Sequence, residues 1–113
     1  MLDEGALARL RELDPEGQHG VVARVLAAYE SSLVRQLDLM RAELAAPQAH
    51  VLGGLAHTLK SSSASVGALA LARACEAFEQ RVRQGATAQT HDVAELIALA
   101  EAALVAVRTI LRG

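Results

Sequence analysis

The sequence predicts an all-α protein: an antiparallel four-helix bundle preceded by one short helix. Three observations carry this. Ala and Leu fill 42 of 113 positions, 24 and 18 respectively, and both lose little side-chain freedom in a helix. The residues that sheets favour are scarce, with Tyr29 and Phe78 the only aromatics. Apolar residues also recur at alternating spacings of three and four, the period of a helix with one buried face.

Each element follows from that period and from the residues that interrupt it. A short first helix fits Leu2 to Leu13, with Leu2, Leu7, Leu10 and Leu13 near one face and Asp3 as its cap. Asp14-Pro15-Glu16 reads as a restart: a capping residue, Pro in the first turn, then an acid. The second helix is expected from about Pro15 to about Ala46, its start weakened by Gly17 and Gly20. Its stripe is Val22, Leu26, Tyr29, Leu33, Leu37, Met40 and Leu44. Pro47 ends it and opens a third helix running to about Ser65, with Leu52, Leu55, Leu59, Ser62 and Val66 on one face. Gly67 is the next boundary. A fourth helix, ending near Gly85, carries Ala68, Leu71, Cys75, Phe78 and Val82. Asp92 with Glu95 suits a capping box for the last helix, while Thr87 or Thr90 offers an earlier start. Val93, Leu96, Ala100, Leu104, Val107 and Leu111 form its apolar stripe. No repeat, linker or block of like charge divides the chain, so residues 1–113 read as one domain.

Composition narrows the function classes. Charges interrupt every apolar run well short of the roughly 18–20 residues of a membrane span. The N-terminal residues do not form a signal peptide, so the expected location is the cytoplasm, without membrane insertion. The single cysteine, Cys75, excludes an internal disulfide and a cysteine-based zinc site. A net charge of −2 gives no general attraction to nucleic acid. Nothing marks the chain as other than a monomer, and no intrinsic cofactor is expected.

The third helix carries the informative chemistry. At about 100° per residue, Leu52, Leu55, Leu59 and Val66 lie roughly opposite His57, which therefore points to solvent. Around it on the wheel lie Gly53, Gly54, Lys60, Ser61 and Ala64, all small except Lys60. Two adjacent glycines inside a helix each cost about 1 kcal/mol relative to Ala. A surface kept this low suits a second protein approaching an imidazole closely, so Gly53, Gly54, Ser61 and Ala64 are the candidate partner-binding positions. Lys60 is the chain's only lysine. It stands one turn from a potential nucleophile, where an ammonium can hold a phosphoryl group. These residues alone also fit a non-catalytic helical adaptor in which His57 is inert.

Residues 56–68, Ala-His-Thr-Leu-Lys-Ser-Ser-Ser-Ala-Ser-Val-Gly-Ala, resemble the motif of the histidine phosphotransfer (HPt) domain family of bacterial phosphorelays. The likeness continues through Leu71, Cys75, Phe78 and Glu79, and the helical layout agrees over nearly the whole chain. The resemblance implies that His57 accepts a phosphoryl group from an aspartyl phosphate on a receiver domain and relays it to another aspartate. It implies that Lys60 stabilises that group and that Glu79 hydrogen-bonds the other ring nitrogen. It also places Arg83 where some members carry an auxiliary cation. The implied partners are receiver domains of a hybrid sensor kinase or of response regulators, and the magnesium ion belongs to the receiver. The protein would then be a phosphocarrier without turnover of its own. Ser61 departs from the Gly common in the family, which bears on which receivers fit.

Competing readings have weaker support. An ATP-dependent histidine kinase usually follows its histidine with an acid and then Pro. Here Thr58 follows, and no Pro occurs after Pro47. The phosphorylated domain of a chemotaxis kinase shares the fold and the Glu79 register. Gly54 to Ser61 fails as a phosphate loop because Leu59 sits where Gly is required before Lys60. His19, His50 and His91 read as surface residues, and His50 lies about 10 Å along the helix from His57, too far to share a metal. Cys75, Tyr29 and Phe78 read as core.

Overall fold

The apolar stripes become five helices and no strands. The computed structural model describes residues 1–113, with α1 at Glu4–Glu12, α2 at Val21–Ala42, α3 at Ala49–Val66, α4 at Leu69–Arg83 and α5 at Thr90–Arg112. α3 lies against α4 and α2 against α5; contacts of α2 with α3 and of α4 with α5 close the four-helix bundle. α1 sits across α2 and α3. The ion pairs Arg41–Glu101 and Arg108–Glu30 show α2 and α5 running antiparallel.

The core is built from the middles of the expected stripes, while Val22, Leu44, Leu55, Val82, Leu104 and Leu111 pack half-buried against it. Leu26, Leu33, Leu37, Leu52, Leu59, Leu71, Phe78, Val93 and Val107 are buried, and Tyr29 and Cys75 join them. Each large apolar side chain taken out of water contributes roughly 1.5–3 kcal/mol. Asp3 caps α1 as expected, its carboxylate accepting from the Ala6 amide at 3.0 Å.

Several boundaries differ from the sequence reading. Asp14 does not start a helix at Pro15. Its buried carboxylate accepts from the amides of His19 at 3.0 Å and Val21 at 3.3 Å. The chain between loops out, with Gly17 and Gly20 in the left-handed region, and α2 begins six residues after Pro15, at Val21. Leu13, expected on a buried face, lies past the last turn of α1 and is 69% exposed. α2 stops at Ala42 rather than Ala46, and Pro47 sits in the connection, not in α3. Glu43 clasps that connection by accepting from the Gln48 amide at 2.9 Å. The capping box of α5 pairs Gln89 with Asp92, which occupies the third helical position rather than the cap.

The α3 stripe is also shifted. Ser63, not Ser62, is fully buried, and Ala56 is buried beside Leu52 and Leu59. Ser63 is accommodated because the Tyr29 hydroxyl reaches it from α2 at 2.7 Å, satisfying two buried polar groups at once.

Candidate functional site

The tight turn between α3 and α4 sets the register of the site. Gly67 ends α3 with φ of 85°, a left-handed conformation that costs glycine little. The N-terminal segment presses on it: the Asp3 amide donates to the Gly67 carbonyl at 2.8 Å. A Cβ at position 67 would stand 2.6 Å from the Asp3 nitrogen. With so short a turn, residues at similar distances before and after it face each other. Gly53 thus meets Val82, and His57 and Lys60 meet Glu79.

Glu79 is the centre of the arrangement. It is a buried carboxylate, with 9% of its side chain exposed. Burying an unpaired charge is costly, and here three donors prevent it. Lys60 Nζ donates to Oε1 at 2.7 Å. His57 Nδ1 meets Oε2 at 2.6 Å, and Arg83 Nη2 donates to the same oxygen at 3.2 Å. The Lys60 hydrogen bond, foremost, holds the Glu79 carboxyl below the usual carboxylate range. Burial pushes the other way, and His57 and Arg83 reinforce the lowering.

An ionised carboxylate only accepts hydrogen bonds, so the proton between it and His57 sits on Nδ1. In the neutral ring the lone pair is then on Nε2. The His57 side chain is 65% exposed, so a nucleophilic nitrogen held in one tautomer faces solvent.

The small-residue positions divide in two. Gly54, Ser61 and Ala64 are exposed around His57, and a Cβ at Gly54 would meet nothing within 4 Å. Gly53 is half-buried on the α4 side, where a Cβ would stand 3.4 Å from Val82 Cγ1. Gly53 therefore lies in the seam between α3 and α4, and Gly54 belongs to the open face. The hydroxyls of Thr58, Ser62 and Ser65 bond carbonyls of their own helix, consistent with small helix residues rather than nucleophiles. His19, His50 and His91 are exposed. Burial pushes the Cys75 thiol up to about 12, with the Glu79 charge adding to it. Sequence reasoning missed that Lys60 bonds Glu79 directly; a lone lysine one turn from His57 is the signal that it belongs to the site.

Fold and site define a helical bundle that carries an exposed imidazole, anchored at one nitrogen by Glu79, on its outside. The Hpt domain model matches residues 24–109, most of the chain, and the protein belongs to the Hpt domain family. Its role is therefore phosphotransfer in two-component signalling, through interaction with receiver domains. The match takes in α3, α4 and nearly all of α2 and α5, and leaves α1 outside. Searches of curated proteins and of solved structures return no match. No helix is long and apolar enough to cross a membrane.

Proposed function

We propose that this protein is a cytoplasmic, monomeric phosphocarrier whose His57 Nε2 takes a phosphoryl group from a receiver-domain aspartyl phosphate. It then relays the group to the aspartate of a response regulator. The observation that carries this reading is the 2.6 Å bond between Glu79 and Nδ1 of a ring otherwise open to solvent. That bond orients the imidazole and directs its lone pair outward, as outer hydrogen-bond partners do for other working histidines.

In-line attack places Nε2 opposite the aspartyl oxygen. The new N–P bond forms from the ring lone pair while the O–P bond breaks, and its electron pair leaves with the receiver's carboxylate. Lys60 keeps one N–H on Glu79 and has two more donors to offer the phosphoryl oxygens. The receiver supplies the magnesium ion and most of the electrostatic stabilisation. Gly54, Ser61 and Ala64 keep the approach low enough for a receiver to dock, and Gly53 lets α4 lie close enough for Glu79 to reach the ring.

His57→Gln tests the reading. A phosphorylated receiver is expected to label the unaltered protein with an acid-labile, alkali-stable phosphate and to leave the variant unlabelled. A variant that still acquires such a phosphate, with its helical circular dichroism intact, removes His57 from the role.

A further inference from the structure

Helix α3 carries five hydroxyl side chains, and all but one are committed within the chain. Thr58 donates to the Gly54 carbonyl at 3.0 Å, and Ser65 to the Ser61 carbonyl at 3.0 Å. Ser62 reaches the Leu59 carbonyl at 3.3 Å and the Thr58 carbonyl at 3.4 Å. Ser63 is buried against the Tyr29 hydroxyl. Ser61 is different. Its carbonyl accepts from Ser65, but its own hydroxyl, on an exposed residue, bonds nothing in the protein.

That hydroxyl stands beside the imidazole. Ser61 follows His57 by four residues, which puts their Cβ atoms about 5–6 Å apart on one face of the helix. Side chains on a helix lean toward its N-terminus, so Ser61 leans back toward His57. Glu79 fixes which edge of the ring meets it. Nδ1 is turned to the carboxylate on α4 at 2.6 Å, and the two nitrogens of an imidazole point to nearly opposite sides of the ring. The edge that carries Nε2 is therefore turned away from α4, toward the flank that Ser61 and Gly54 occupy. Lys60 lies on the other flank, with Nζ on Glu79 at 2.7 Å. Position 54 has no side chain, and the Thr58 hydroxyl is already committed. Ser61 is thus the donor that α3 presents on the open side of the ring.

We propose that the Ser61 hydroxyl donates a hydrogen bond to a phosphoryl oxygen on His57 Nε2. The group is then held from both flanks, by Lys60 on the α4 side and by Ser61 on the open side. A phosphoryl group brings about two negative charges and three acceptor oxygens, more than the two N–H donors left on Lys60 satisfy. A hydroxyl that donates to an ionised acceptor makes one of the stronger hydrogen bonds. The hydroxyl keeps its proton, and no covalent bond forms or breaks at Ser61. The Gly common at this position in the family offers no such donor, so the contact belongs to this chain's departure from the motif. The inference rests on His57 being the phosphoacceptor.

The test uses the full chain, labelled with phosphoramidate and then freed of the donor. Phosphorus NMR follows the loss of the last phosphoryl proton with pH in the unaltered protein, Ser61→Ala, Ser61→Gly and Ser65→Ala. A donor to the doubly charged group favours that form and lowers the titration midpoint. Ser61→Ala is expected to raise the midpoint by about half a pH unit, roughly a threefold loss of preference for the dianion. Ser61→Gly moves it equally, and Ser65→Ala leaves it in place. Ala favours a helix more than Ser does, so the shift in Ser61→Ala does not come from unfolding. A docking role for Ser61 moves no midpoint, because phosphoramidate labels without a receiver. An unchanged midpoint in Ser61→Ala overturns the assignment. A shift in Ser61→Gly alone also overturns it, since the cause is then the backbone. An equal shift in Ser65→Ala does the same, since the cause is then the helix surface at large. Failure of the unaltered protein to take label on His57 sinks the phosphoacceptor reading itself, an outcome distinct from any difference in midpoints.

Discussion

On the side of α3 that faces α2, the Ser63 and Tyr29 hydroxyls meet at 2.7 Å, both buried. On the side that faces α4, His57 and Glu79 meet at 2.6 Å. The two bonds are nearly equal in length and join the same helix to its two neighbours. Their surroundings separate them. The Tyr29–Ser63 pair is closed within the core, so it can only hold helices together. The His57–Glu79 pair is buried at the carboxylate end and open at the imidazole end, so its order can serve a second molecule. A polar contact between helices becomes a working site when one partner keeps an unused, exposed atom.

The strongest way to break this comparison is Glu79→Gln. Loss of the anion leaves one carbonyl oxygen where two carboxylate oxygens had accepted from His57 Nδ1 and Lys60, so the tautomer and the lysine can no longer both be held as firmly. Outer-partner substitutions at working histidines typically cost 10–100-fold, so phosphoramidate labelling is expected to slow by about that factor. A variant that labels at the unaltered rate would show the α4 contact to be as purely structural as the α2 contact.

Tyr29→Phe probes the closed side. It leaves Ser63 buried without its partner and is expected to cost about 1–2 kcal/mol in urea unfolding, with labelling unchanged. A loss of labelling with no loss of stability would reverse the roles given to the two faces.

Solution pH sharpens the contrast, because the two sides weaken at opposite ends of the scale. Burial pushes the Tyr29 hydroxyl from 10.0 up to about 12, more than its Ser63 hydrogen bond lowers it. The Cys75 thiol rises from 9.0 to about 12, again chiefly by burial. Both groups ionise more readily in the unfolded chain. Their contribution is complete below about pH 9 and is lost as pH rises toward 12. Glu79 has the opposite sign. Its carboxyl is lowered on folding, first by Lys60, so its contribution is complete above the ordinary carboxylate range and is lost as pH falls below that range toward the lowered folded value. Urea midpoints measured across pH are expected to drop at both ends. Tyr29→Phe should flatten only the alkaline limb and Glu79→Gln only the acid limb.

The smallest expected effect concerns the open face. A Cβ at Gly54 meets no neighbour, so Gly54→Ala is expected to stabilise the bundle by about 0.5–1 kcal/mol and to slow transfer from a receiver. A gain in stability with faster receiver transfer would count against Gly54 as a docking position.

The sequence shows much of this because the helices are local and their stripes long. Leu26 through Met40 and Leu71 through Phe78 repeat at helical spacing, and all are buried as read. The site was legible because His57 and Lys60 lie one turn apart on one helix, while the match across to Glu79 came through the family motif. What stayed hidden depended on contacts distant in sequence or on competition for hydrogen bonds. Ser63 is buried because a hydroxyl 34 residues away meets it. Asp14 looked like the cap of a helix starting at once, but amides of His19 and Val21 claimed its carboxylate. Gly53 and Gly54 are adjacent in sequence, and only the position of Val82 tells them apart.

Cys75 gives the chain a built-in clock. It is the only thiol, fully enclosed, and lies one helical turn before Glu79 on α4. With its ionisation pushed up to about 12, it has almost no thiolate to offer a disulfide reagent while α4 stays seated, since the thiolate is the reactive form. Each modification event therefore marks an excursion that exposes α4, and the reaction rate with excess reagent counts how often such openings occur. Run with and without phosphate on His57, that count would measure how firmly the loaded site holds its two helices together.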